Sequence, residues 1–595
     1  MDKNSETKNC QNCKQEFVIE PDDFDFYEKM KVPAPTWCPE CRAQRRLAFR
    51  DYRVLYKRKD DHDGKEIFSI FPSDSPFKVY ERDYWWSDKW DAMQYGKDYD
   101  FSKPFLEQLK QLSLDVPQPS RTAWSLENSD YSTGANNLKN CYLVFLATNG
   151  EDCMYGADIN QVKSSVDVTQ VDSSESCYGS FQLVKCYKTI YSSHCESCVD
   201  VWFSKNLQGC NNCFGCVNLV NKSYYIFNQP YAKEEYIKKI KEFNVGSYRS
   251  VENVKSQALR LFSKNIYRST FGKHNSDVLG EYIDNSKNVR QSYYVRNGEN
   301  CKYVQDLFTP ASKDCYDVSH WGDNIELVYE TANCGTDSSR IKFCYRVYIG
   351  AHDYEYSMQC LGGSYIFGCV GLQKKQYCIL NKQYTKEEYE ELVLKIKKHM
   401  DEMPYVDKLG RIYKYGEFLP AELCPFAYNE TASREFFVLT KEEALRNGYR
   451  WKEREDRGYT PSVKSADLPD NIADVTESIL KEIIACAHGG TCNDDCTIAY
   501  KITPSELRFY KQMNIPLPRL CHNCRHAERI KERRPMKLYH RKCQCAGVKS
   551  KSGVYSNAAK HQHGDAPCPN EFETSYAPDR PEIVYCEACY QQEVI

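Results

Sequence analysis

The residues of this chain best equipped for chemistry are cysteines set in pairs. Cys10-x-x-Cys13 and Cys38-x-x-Cys41 place two thiol pairs on either side of a 24-residue span. A C-x-x-C turn offers two sulfurs at the bite a tetrahedral Zn²⁺ accepts. Four thiolates leave no coordination position for water, so such a site is structural and not catalytic. The same pattern returns near the other end. At a constant offset of 483, Cys13, Phe26, Tyr27, Met30, Pro33, Pro35, Cys38, Cys41, Arg42 and Arg46 correspond to Cys496, Phe509, Tyr510, Met513, Pro516, Pro518, Cys521, Cys524, Arg525 and Arg529. The first knuckle of this second copy is altered: it reads Cys492-x-x-x-Cys496, with Cys486 and His488 nearby. Cys492, Cys496, Cys521 and Cys524 are therefore the expected ligands, with Cys486 the alternative to Cys492. A third group gathers Cys543, Cys568, Cys586 and Cys589, with Cys545 the alternative to Cys543, and with His561 and His563 as further candidates. Together these predict about three structural zinc ions.

The pattern C-x-x-C…F-Y…P-x-P-x-x-C-x-x-C-R resembles the small "probable zinc-ribbon" family, and the whole layout resembles large multi-zinc-ribbon proteins of small-genome bacteria. The resemblance spans about 40 residues at each end. It implies zinc ribbons and supplies no reaction.

Each ribbon runs into a basic stretch. Arg42, Arg45, Arg46 and Arg50 follow the first, and Arg525, Arg529, Arg533 and Arg534 the second, with Phe49, Tyr52, Tyr56 and Tyr539 interleaved. Guanidinium groups neutralise phosphates and aromatic rings stack on unpaired bases, so RNA or single-stranded nucleic acid is the expected ligand. The competing reading pairs these arginines with acids of the central region.

The elements that must position these ends are themselves repeated. Phe214-Gly215-Cys216-Val217, Lys222, Tyr224, Asn228 and Lys233-Glu234-Glu235-Tyr236 match Phe367-Gly368-Cys369-Val370, Lys375, Tyr377, Asn381 and Lys386-Glu387-Glu388-Tyr389 at an offset of 153. Within the first unit Cys141, Cys153, Ser165, Cys177, Cys198, Cys210 and Lys222 fall at multiples of roughly 12, with one rung displaced. Short β-rich pieces at this rhythm mark a stacked coil. The expected fold is mainly β: tandem parallel β-solenoid units flanked by N- and C-terminal zinc ribbons, with a few short capping helices. The divisions are a ribbon with basic extension (1–60), an aromatic connector (61–121), solenoid unit 1 with its end helix (122–243), a connector (244–269), solenoid unit 2 with its end helix (270–400), a linker with helices (401–485), the second ribbon with basic extension (486–542) and a C-terminal knuckle domain (543–595). Residues 232–243 and 386–400 carry helical periodicity, Thr385/Glu388 and Thr440/Glu443 form capping boxes, and 471–486 reads as a helix.

Three other features could do chemistry. Cys210-x-x-Cys213-x-x-Cys216 resembles an iron–sulfur run, but the duplication replaces Cys213 with Ile366, which favours a buried apolar role. Asp167 and Asp200, recurring near Asp317 and Asp353, could form the acid pair of a carbohydrate-active β-helix; turn-capping is the simpler role. Tyr84-Trp85-Trp86 with Trp90 suits packing better than ligand stacking.

Composition narrows the class. A net charge of −3 excludes a uniformly basic surface, and no run approaches a membrane span. The polar opening lacks an apolar signal region, so the 31 cysteines are expected to be reduced, in the cytoplasm, as zinc ligands or small buried hydrophobes. The sequence reading is a non-enzymatic zinc-stabilised binding scaffold, contacting nucleic acid or alternatively protein, with no membrane partner.

Overall fold

The computed structural model describes residues 4–307, 312–320, 322, 325–453, 458 and 460–594. Two parallel β-solenoids form its centre. The first runs from Ala123–Glu127 to Ser223–Ile226, and the second from Gly272–Lys273 to Gln376–Ile379.

The coil of the first solenoid is built from triplets. From Asn137 to Phe227 every third residue has a left-handed backbone, a region that non-glycine residues seldom enter. Each corner is followed by one inward residue and one outward residue. Four triplets make a 12-residue turn, and strands pair at that interval, as in Ala157↔Thr169 and Val201↔Cys213. The inward positions form a narrow core filled mostly by small side chains, among them Cys141, Cys153, Val162, Ser165, Cys177, Cys198 and Cys210, all at most 3% exposed, with Leu138, Ile159, Leu183 and Leu207 between them. Cys141, Cys153, Ser165 and Cys177 line one inner column, while Cys198 and Cys210 belong to the neighbouring one. The apparently displaced rung is thus a change of side. Inward serines close the polar accounts of the core: Ser165 Oγ donates to the Lys163 carbonyl at 2.7 Å and accepts from the Cys177 amide at 3.0 Å. Corner asparagines form ladders between turns, such as Asn128 to Asn140 at 3.0 Å and Asn140 to Asp152 at 3.0 Å.

The cysteine run of the first unit belongs to this core. Cys210, Cys213 and Cys216 are fully buried, and their thiols donate to main-chain carbonyls. None belongs to a potential metal-ligand group among the described residues.

Both solenoids stop in the same way. The Asn228 and Asn381 side chains imitate the next rung. Asn381 Oδ1 accepts from the Val370 amide and Nδ2 donates to its carbonyl, each at 2.8 Å, and Asn228 does the same with Val217 at 2.9 Å. A short antiparallel return follows each asparagine, then a helix, Lys233–Glu242 or Lys386–Glu402, the latter with the Thr385/Glu388 capping box. These helices cover an otherwise open β-edge.

Elsewhere the structure refines the expectations. The stretch 244–269 contains a helix, Tyr248–Phe262. Residues 471–486 form no α-helix but the 3₁₀ turns Ile472–Asp474 and Glu477–Lys481 and the short strand Ile484–Ala485. Ile472, Val475 and Ile479 are buried there, so tertiary contact meets the apolar spacing without a continuous helix. The tryptophans of the aromatic connector pack: Trp85 is fully buried with Nε1 donating to the Pro117 carbonyl at 2.7 Å, and Trp86 lies between Trp124 of the first solenoid and Tyr348 of the second. No helix among the described residues is long and apolar enough to cross a membrane.

Replacing the asparagine caps tests this account of termination. Asn381→Ala strands a buried amide and a buried carbonyl, each costing about 1–3 kcal/mol. Thermal unfolding should show a larger loss for Asn381→Ala than for Asn228→Ala, because Asn381 is fully buried and Asn228 only half-buried.

Candidate metal centres and the ribbon–solenoid junctions

Three groups of four cysteines place their sulfurs within 4.8 Å of one another: Cys10, Cys13, Cys38 and Cys41; Cys486, Cys496, Cys521 and Cys524; and Cys543, Cys568, Cys586 and Cys589. Each could hold a metal ion, and a set of four thiols suits Zn²⁺. Local structure explains the geometry. In the first group the hairpin Glu6–Asn9/Glu16–Ile19 carries Cys10 and Cys13 in its turn. Cys38 caps the helix Pro39–Ala48, whose first turn supplies Cys41. Cys521 likewise caps His522–Ile530, and Cys586 precedes Glu587–Val594. The free amides and positive end of a helix favour thiolates at this place.

The three groups share a further contact. The amide of the capping cysteine donates to one sulfur of the opposite pair: Cys38 to Cys10 at 3.2 Å, Cys521 to Cys486 at 3.3 Å, and Cys586 to Cys543 at 3.2 Å. Cys10, Cys486 and Cys543 therefore occupy equivalent positions. Contacts between sulfurs push the thiols apart in acidity. The neighbouring Cys543 sulfur holds Cys586 down at about 4, while Cys543 itself is driven up by the same contact. Four thiolates can share such a space only with a cation between them.

This corrects one assignment. Cys486, and not Cys492, completes the second group. Nine residues separate Cys486 from Cys496, against two between Cys10 and Cys13, and the longer connection carries Cys492 outside the four-sulfur group. Its Sγ lies 3.6 Å from that of Cys524, in a second cluster with His488 and Asp494 that shares Cys524. For the third group the structure places Cys543 among the four, and Cys545 beside His561 and His563.

The basic stretches also end up elsewhere than the nucleic-acid reading requires. Arg42, Arg45, Arg46, Arg50, Arg525, Arg529 and Arg534 are buried, and the Arg533 side chain is 4% exposed. Their partners are carboxylates. Arg42 and Arg46 both bind Asp317, at 2.9 and 3.0 Å; Arg45 binds Glu330 at 2.8 Å and faces Glu417 at 3.4 Å, with its guanidinium over the Trp37 ring. Arg50 approaches Asp158 at 3.8 Å. In the second copy Arg525 and Arg529 bind Asp167 at 2.7 and 3.0 Å, Arg533 binds Glu435 at 2.8 Å, and Arg534 binds Glu281 at 3.2 Å. Burial lowers the Arg529 guanidinium to about 10, against the pull of Asp167, so it stays charged at neutral pH. Helix-face arginines that reach buried acids cannot also reach a phosphate backbone.

The two junctions are the same junction built twice. Arg42 also donates to the Trp37 carbonyl at 2.7 Å, and Arg525 to the Leu520 carbonyl at 3.0 Å. Asp23 accepts from the Tyr303 hydroxyl at 3.0 Å, and Glu506, its counterpart in the duplication, from Tyr155 at 2.9 Å. Tyr155 and Asp167 are left-handed corners, as are Tyr303 and Asp317, and the corner conformation aims each pair at its ribbon. The pairing of the ribbon helices is crossed: the N-terminal one docks on the second solenoid and the C-terminal one on the first, while Arg50 and Arg534, past those helices, reach Asp158 and Glu281 of the other solenoid. The duplication already marked Asp167 and Asp317, and the acid at positions 23 and 506 was a second readable signal; the partner roles of Tyr155, Tyr303, Glu330 and Glu417 carried none.

These contacts remove the basis for an acid-pair enzyme. Asp167 and Asp317 lie at most 1% exposed under arginines. Asp200 pairs with Lys188 at 3.1 Å, and Asp353 accepts both prongs of Arg340 at 2.7 and 2.8 Å.

No family model matches the chain, and a search of curated proteins returns no relative.

The buried and exposed acids should behave differently when removed. Asp317→Ala leaves Arg42 and Arg46 buried with only the longer contacts to Glu330, at 3.5 and 3.4 Å, and should cost about 3 kcal/mol. Asp353→Ala, at an exposed pair, should cost under about 1 kcal/mol. Denaturant unfolding of both variants checks the contrast.

Proposed function

We propose that this chain is a non-enzymatic binding scaffold in which zinc-folded ribbons clamp two solenoids into one body, and that it presents a solenoid face to a protein partner. Zinc fixes the helix of each ribbon, and the helix holds its arginines in the register that meets the solenoid acids. The zinc is therefore a support for shape.

The observation that favours protein over nucleic acid is the fate of the arginines together with the charge of the outer face. One outward column of the first solenoid runs Glu127, Lys139, Glu151, Lys163, Glu175, Tyr187, Val199, Asn211 and Ser223, one residue per turn. Opposite charges alternate along it, with Lys163 3.0 Å from Glu151, and three glutamates against two lysines leave a net charge of −1. A slightly acidic ladder offers nothing to a polyanion. Beyond it Tyr187 and Val199 stand on adjacent turns, 48% and 42% exposed, where an aromatic anchor can meet a partner. Solenoids commonly bind through such extended faces.

Affinity capture from native lysate with the wild-type chain and with Tyr187→Glu/Val199→Glu tests the reading. The expected result is a protein, retained after nuclease treatment, whose recovery falls at least about tenfold with the double variant, matching the loss of about 1.4 kcal/mol or more that a binding anchor supplies. Salt-sensitive capture of RNA, unaffected by that variant, would overturn it.

A further inference from the structure

The C-terminal domain holds a second ligand set against the third cysteine group. Cys545, His561, His563 and Cys589 each offer one ligand atom within 4.8 Å of the others, with His561 Nδ1 facing Cys545 Sγ and His563 Nε2 facing Cys589 Sγ. Cys589 also belongs to the group of Cys543, Cys568 and Cys586. We propose that this domain binds two zinc ions, the second held by Cys545, His561, His563 and a thiolate of Cys589 shared with the first. The inference rests on the metal reading of the cysteine groups and is independent of the scaffold's partner.

His561 is buried, and its Nε2 donates to Glu593 at 2.8 Å. Glu593 is itself fixed by the amides of Ala558 and Ala559, each at 2.9 Å, and by the Tyr555 hydroxyl at 3.0 Å. That arrangement puts the imidazole proton on Nε2 and turns the Nδ1 lone pair toward Cys545, 3.4 Å away. His563 has the opposite orientation and the same outcome. Its Nδ1 donates to the Ala566 carbonyl at 2.6 Å, so the Nε2 lone pair faces Cys589 at 3.3 Å. Two imidazoles thus have their protons fixed on the outer nitrogens and their lone pairs converging beside two sulfurs. A carboxylate or carbonyl behind each metal-bound histidine is the usual outer support of a zinc site.

The sulfur side agrees. Cys545 is fully buried, and its Sγ accepts from Asn557 Nδ2 at 3.2 Å, which fixes the sulfur's position. Two thiolates and two neutral imidazoles make a ligand set suited to Zn²⁺. Charge supplies a reason for sharing. Four thiolates around one Zn²⁺ carry a net charge of about −2, and a second Zn²⁺ beside them reduces it. An entry path exists as well: a cleft of about 210 Å³ is lined by His563, Cys568, Asn570 and Cys589. Plain S–H···N hydrogen bonds are the competing account. They would use the same lone pairs but would hold no metal.

Elemental analysis of the purified full-length chain separates these accounts. The expected count is four zinc ions per chain, falling to three in His563→Ala and in His561→Ala, with circular dichroism unchanged. His563 is half-exposed at the rim, so its removal leaves the buried four-cysteine group intact. Three zinc ions in the wild-type chain would overturn the proposal, as would four retained in both histidine variants. A wild-type chain that folds without zinc would instead contradict the metal reading of all the cysteine groups. The wild-type count decides the matter even where a variant fails to fold.

Discussion

The structure depends on one contact made twice: a solenoid aspartate, buried, shared by two arginines of a ribbon helix. Arg42 and Arg46 meet on Asp317, and Arg525 and Arg529 on Asp167. Charges taken out of water this completely are stable only when matched and held by further hydrogen bonds. The first junction answers with three arginines, Arg42, Arg45 and Arg46, against Asp317, Glu330 and Glu417. The second sets Arg525 and Arg529 against Asp167 and Glu506. Neither set tolerates a shift in register, because any displacement leaves a buried ion alone. The ribbon must therefore be rigid where it meets the solenoid, and the four-cysteine group at the start of its helix is what can make it so.

Crossed docking turns local contacts into an architecture. If each ribbon bound the solenoid nearer in sequence, the halves could part. Because the first ribbon holds the second solenoid and the last ribbon holds the first, the chain is closed on itself through both junctions. The aromatic connector adds to this closure, with Trp86 touching rings from both solenoids. The arginines that suggested a nucleic-acid surface lie inside this fixed body.

Much of this was legible in the sequence, and the limits have physical causes. The 12-residue rhythm announced the solenoid because its inner positions favour small side chains, and cysteine, serine and valine recur there. The three-residue unit beneath that rhythm was not visible. Its left-handed corner is often Asn, Asp or Gly, as at Asn140, Asp152 and Gly209, but it also takes Tyr155, Lys188, His194 and Phe203, which blurs the signal. The cysteine groups followed from C-x-x-C spacing except where an insertion hid the pairing: Cys486 lies beyond the spacing that made Cys492 the nearer choice. The arginine stretches misled because charge density reads the same in one dimension whether the side chains face solvent or buried acids. The acids that claim them are up to hundreds of residues away, as Asp317 is from Arg42, and only the matching duplications at both ends of each pair hinted at the connection.

The central claim is that metal-organised ribbons hold their arginines against the solenoid corners. Hydrogen–deuterium exchange on the full-length chain, before and after zinc is stripped by a chelator, tests it most directly. The account predicts that metal removal exposes not only the ribbons but also the docking rungs, 155–169 in the first solenoid and 312–320 in the second, while turns distant from the junctions keep their protection. Loss of protection confined to the ribbons, with the docking rungs unchanged, would contradict it.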